Sequence, residues 1–103
     1  EQEKFWEMHD TIFANWSGEN QGAFSDIRLQ AMAESIGLDM DTFNECFEAK
    51  KYQADIQAEL DLGKKMGVNG TPTVFVNGVQ VGQPGKIAKY EEIVQAVEEE
   101  LKK

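Results

Sequence analysis

Few residues in this chain are equipped for chemistry. There is one cysteine, Cys46, and one histidine, His9, while Pro72 stands in the stretch "VNGTPTVFVNGVQV" at residues 68–81. Thiol–disulfide exchange needs an attacking thiolate and a leaving sulfur. A single cysteine permits no intrachain disulfide. Cys46 shares the apolar side of a short helical pattern with Phe43 and Phe47, where a free cysteine behaves as a small hydrophobe. A low-pKa thiol wants positive neighbours, and Glu45 and Glu48 flank this one instead. His9 lies on an apolar stripe with no second histidine, which predicts a packed, hydrogen-bonded ring. Asp10 beside it is not expected to share its face. No metal-ligand spacing occurs. Glu98, Glu99 and Glu100 read as a solvated helix end, and "NGVQVGQPG" lacks the spacing of a phosphate loop. Thr71-Pro72 opens a strand, where a proline interrupts no ladder, and local sequence alone favours a trans bond there.

The elements that must position these residues follow from periodicity. Phe5, His9, Ile12, Phe13 and Trp16 recur at helical spacing, flanked by Trp6 and Met8, and predict a helix over residues 2–14. "SGENQG" breaks it. A second helix is expected over 25–36, capped by Ser25, with Leu29, Met32, Ala33 and Ile36 inward and Gly37-Leu38 as its stop. Asp39 or Asp41 caps a third short helix, and a fourth carries Tyr52, Ile56 and Leu60, widened by Leu62 and Met66, before a second stop at Gly67-Val68. Asn77-Gly78 between β-branched runs predicts a type I′ hairpin, because that turn needs positive φ at both central residues. A two-residue loop sets Val76 opposite Val79 and Val74 opposite Val81, so four valines share one face. Thr73, Phe75, Gln80 and Gly82 take the other. "TVFV" is apolar on both faces apart from Thr73 and reads as an interior strand, with the second strand at an edge. After the loop "GQPGK", a last helix over 87–101 is expected to lay Ile87, Tyr90, Ile93, Val94, Val97 and Leu101 on the valine face.

Composition bounds the partners. At 103 residues the chain is long enough for one modest core, and its net charge of −9 opposes binding to nucleic acid or to an anionic membrane. No apolar run approaches a membrane-spanning helix. "EQEKFWEMHD" has no basic region followed by an apolar one, so no signal peptide is read there, and the absence of an initial Met points to a processed chain or a fragment.

Several stretches together resemble the DsbA-like branch of the thioredoxin superfamily. "FWEMHDTIFANW" and "GLDMDTFNECFEAKKY" are similar to its inserted helices, "LGKKMGVNGTPTVFVNG" to the approach to its proline loop, and the terminal helix to the last helix of the fold. The resemblance implies a partial α/β thioredoxin-like fold, mostly helical: four short helices, a β-hairpin and a C-terminal helix. Residues 1–66 would be the helical region and 67–103 the β-β-α end, forming one compact unit. It further implies that Pro72 is a cis proline and that Gly70, Thr71 and Pro72 bind an extended, cysteine-containing substrate peptide by short strand addition. The family's C-x-x-C, its only redox centre, is missing here, so no catalytic residue and no cofactor is assigned and the chain alone is expected to lack dithiol activity. Two readings stay open at this point. One is a portion of an oxidoreductase acting on exported proteins in the bacterial periplasm, envelope or exterior. The other is a complete, non-catalytic module for peptide binding or oligomerisation. An open edge on the "TVFV" strand, or exposed helices, would promote dimerisation or domain swapping.

Overall fold

A computed structural model describes residues 1–103. It contains five helices and one two-stranded antiparallel sheet, in the order α1 (Phe5–Ala14), α2 (Asp26–Ser35), α3 (Met40–Glu48), α4 (Gln53–Lys65), β1 (Phe75–Val76), β2 (Val79–Gln80) and α5 (Tyr90–Leu101). The mostly helical, partial thioredoxin-like architecture expected from the sequence is the one observed. The chain parts into two compact units, Glu1–Gln53 and Ala54–Lys103. The division falls at the start of α4, whereas the sequence reading set a boundary after residue 66 within one compact unit. A polar turn at Lys50, Lys51 and Tyr52 separates α3 from α4, and all three residues are exposed.

In the first unit α2 is the central helix, packing on α1 to one side and α3 to the other. Its core is small, made of Ala23, Met32 and Ala33. Gln30 reaches across to α3, donating through Nε2 to Asn44 Oδ1 at 3.2 Å. The expected stop of α2 is present in full: Gly37 N–H donates to Glu34 O and Leu38 N–H to Ala33 O, the paired closure that satisfies two orphan carbonyls. Asp39 is the cap of α3, its carboxylate accepting from Thr42 N–H at 2.9 Å, and this bond holds its pKa below the ordinary value. Ser25 occupies the cap position of α2 in extended backbone but makes no side-chain cap bond.

Helix α1 departs from expectation twice. It starts at Phe5 rather than at residue 2, because Glu3 takes a left-handed φ of 56° and Gln2 is drawn away. The Gln2 amide donates to Asp39 O at 3.1 Å and accepts from Asp39 N–H at 2.8 Å. The helix also turns a different face inward. Met8, His9 and Ile12 are half-buried, whereas Phe5, Phe13 and Trp16 are exposed. α1 carries apolar side chains on more than one side, and the small Ala33–Met32 surface of α2 accommodates only one of them.

In the second unit α4 ends at the expected stop, with Gly67 N–H donating to Lys64 O and Val68 N–H to Gly63 O. Its apolar residues Ile56, Leu60 and Leu62 are exposed. The hairpin has the expected register: Val76 pairs with Val79, Phe75 with Gln80, and Val81 N–H donates to Val74 O at 2.9 Å. Asn77 and Gly78 have φ of 47° and 81°, the two positive values that a type I′ turn demands. The strands are two residues each rather than four, since regular pairing stops where Gly82 and the Thr71–Thr73 loop leave extended geometry. Helix α5 lies on β1 and borders a groove with Val76, Val79 and Val81, the valine face. It begins at Tyr90 rather than at residue 87, where Glu92 accepts from Lys89 N–H at 2.7 Å. Its half-buried positions are Glu92, Ile93, Val94, Ala96 and Glu100, whereas Ile87, Tyr90, Val97 and Leu101 are exposed. The inward row is therefore narrower and more polar than the apolar stripe predicted, partly because Asn77 Nδ2 donates to Glu100 Oε2 at 3.0 Å and pins that side of α5 to the turn.

Candidate functional site

Because α5 takes the valine face of the hairpin, the opposite face is where Thr73 and Gln80 project. There the second unit forms an open cleft of about 320 Å³, lined by the run from Asn69 to Thr73 together with Gln80, Gly85, Lys86 and Ile87. Gly70, Thr71 and Pro72, the three residues singled out from sequence, lie side by side along it. The Thr71–Pro72 peptide bond is cis, the form that local sequence alone disfavoured. Thr73 Oγ1 donates to Gly70 O at 2.6 Å and ties off the loop. Thr71 is exposed and stands outside the hairpin ladder, so its backbone is open to pairing with a strand laid along the cleft.

The far wall of the cleft is the stretch "GQPGK", expected from sequence only as a loop. Gln83-Pro84-Gly85-Lys86 is a tight turn closed by Lys86 N–H donating to Gln83 O at 3.0 Å. Pro84 presets φ at its second position, and Gly85 supplies a φ of 79° at its third. This turn carries Lys86 and Ile87 to the cleft. The Pro-Gly pair was the available signal.

Chemistry based on sulfur is not built into this cleft. Cys46 belongs to the first unit, where it lines a separate cavity of about 270 Å³ with Phe5, Leu38, Phe43 and Tyr52. It is half-buried, and burial, followed by the negative charge of Glu1, pushes its thiol pKa up. A raised pKa keeps the sulfur protonated and makes for an inert thiol. Glu1 itself accepts from Lys51 and from Tyr52 Oη, the latter at 2.9 Å. The Lys51 bond first, and then that from Tyr52, hold its carboxyl down at about 2. His9 is packed among rings, 4.8 Å from Phe13 and 5.3 Å from Trp6 between centroids. Contrary to expectation, Asp10 does reach it: Nδ1 lies 3.0 Å from Asp10 Oδ1. Consecutive residues do not share a helix face, but the His and Asp side chains are long enough to meet around its edge.

A family model described as Thioredoxin matches residues 1–96. The chain belongs to the thioredoxin family. Within this family its relatives place it in the DsbA-like branch. Disulfide bond formation protein D of Bacillus subtilis is 27% identical over 101 residues, which is 97% of this chain and 44% of that protein. Na(+)/H(+) antiporter NhaA 1 of Salinispora arenicola and NhaA 3 of Salinispora tropica are each 37% identical over 78 residues, covering 76% of this chain and 11% of those proteins. This thioredoxin-family chain thus spans less than half the length of the curated relatives it matches. No solved structure matches it. With one cysteine, it has no dithiol of its own and is not redox-active alone. No helix is long and apolar enough to cross a membrane.

Proposed function

We propose that the chain is a portion of a DsbA-like thiol–disulfide oxidoreductase, supplying the peptide-docking loop while the C-x-x-C that does the exchange stands elsewhere in the polypeptide. The observation that carries this is the cleft itself: Gly70, Thr71 and Pro72 line it in a chain of the thioredoxin family. A substrate peptide in extended form would pair with the Thr71 backbone as an added strand and so hold its cysteine in register with the missing dithiol. Main-chain pairing supplies affinity without demanding one sequence, which suits an enzyme that acts on many partly folded chains. Such chemistry belongs outside the reducing cytoplasm, so the periplasm, cell envelope or exterior is its place.

The test has two arms. Insulin reduction by this chain should stay at the background rate, and clear turnover would contradict the assignment of Cys46 as inert. Serine-for-cysteine peptides titrated into the isotopically labelled chain should shift the amide resonances of Gly70, Thr71 and Thr73. Shifts confined to other residues would rule out the docking loop. A second reading is a stand-alone, non-catalytic module for peptide binding or oligomerisation. It is distinguished by a complete polypeptide that has no C-x-x-C.

A further inference from the structure

The charge of this chain is unevenly spread. Residues 62–90 contain no Asp or Glu and four lysines, Lys64, Lys65, Lys86 and Lys89. Their formal charge is +4, so the remainder of this −9 chain carries −13. An even spread of the nineteen carboxylates would put about five in that stretch, so its sign along the sequence is reversed, although the Glu92 carboxylate just past it folds back to accept from Lys89 N–H and lies against Gly82. Every residue lining the cleft at Thr71-Pro72 falls inside it, and Lys86 is the one charged side chain among them.

We propose that this cleft selects extended peptides bearing an aspartate or glutamate beside the docked segment, with Lys86 as the specificity-determining residue. The inference rests on the reading of Gly70-Thr71-Pro72 as a peptide dock. The Pro84-Gly85 turn fixes the backbone of Lys86 at the cleft, so its ammonium reaches the rim without the loop having to order on binding. Ile87 next to it offers apolar surface, and Gln80 on β2 offers an amide to the peptide. An exposed ion pair adds little affinity by itself. Its value here is discrimination: an acidic peptide is repelled from most of the surface and attracted at this patch, whereas a basic peptide is drawn to the carboxylate-rich surface away from it.

Fluorescence anisotropy with labelled ten-residue peptides tests this. The peptides carry serine in place of cysteine and differ only in flanking Glu, Gln or Lys. The Glu peptide should bind about two- to five-fold tighter than the Gln peptide, and the gap should close at roughly 0.5 M salt. K86Q should erase the preference and K86E reverse it, with K50Q, outside the stretch, leaving it intact. Lys86 is exposed, so these variants keep the fold, which circular dichroism checks. Equal binding of all three peptides, or a preference that survives K86Q, overturns the inference and leaves the dock standing. Binding by none of them, or binding that T71P leaves unchanged, overturns both.

Discussion

At the scale of single residues, the chemistry-bearing side chains are tied up structurally rather than poised to react. Glu1 is the clearest case. Its carboxyl is held at about 2 against an ordinary 4.5 by Lys51 first and Tyr52 next. A folded-state value below the unfolded one means the interaction stabilises fully above pH 4.5 or so and is lost as pH falls toward 2. Thermal denaturation of the chain and of Glu1→Gln should therefore differ at neutral pH and converge near pH 2; a gap that widens with acid would refute the assignment. Cys46 depends on the same carboxylate. Its modification by a soluble disulfide reagent at pH 7 should be slower than that of a free thiol and should speed up in Glu1→Gln, since removing the negative charge eases thiolate formation.

At the scale of elements, α2 and the hairpin turn organise their respective units. Met32 and Ala33 supply most of the first unit's small core, so Met32→Ala should cost about 2–5 kcal/mol. A unit of this size has little to spare, and far-UV dichroism during urea titration should show its transition displaced to lower denaturant. In the hairpin, Gly78→Val forces a β-branched residue into positive φ, at a cost of roughly 1–2 kcal/mol. Hydrogen exchange at the Val76 and Val79 amides should accelerate, and the cleft at Thr71-Pro72 should lose its Gln80 wall. The register of this hairpin was legible because a two-residue Asn-Gly loop admits one pairing. The inward face of α1 was not. Phe5, Trp6, Met8, Ile12 and Phe13 are apolar on several sides, and periodicity alone does not say which side a neighbour will cover.

At the scale of the whole molecule, each unit leaves large apolar side chains in water. In the first, Phe5, Trp6 and Phe13 are each about 70% exposed on one helix, and in the second Ile56 and Leu101 are more than 60% exposed. Large apolar side chains left in water favour association, and each strand of the two-stranded sheet has an edge without a partner strand. We expect self-association through these faces: sedimentation equilibrium should show an average mass that rises with concentration and falls in Phe5→Glu/Phe13→Glu. A monodisperse monomer at high concentration would contradict it. Charge works against association, so added salt should promote it.

The sequence by itself determined the local features: the helix stops at Gly37 and Gly67, the Asp39 cap, the hairpin register and the family to which they add up. These are decided within a few residues by hydrogen-bond geometry and φ preference. The candidate residues Gly70, Thr71 and Pro72 were singled out only through the family pattern, because a Thr-Pro pair at a strand start has no local signature of its own. Tertiary structure decided which faces of α1 and α5 turn inward, where the two units divide, and that the Pro84-Gly85 turn folds back to set Lys86 and Ile87 opposite Thr71. Those outcomes depend on contacts between residues distant in the chain, where several apolar faces compete for one small partner surface and only packing selects among them.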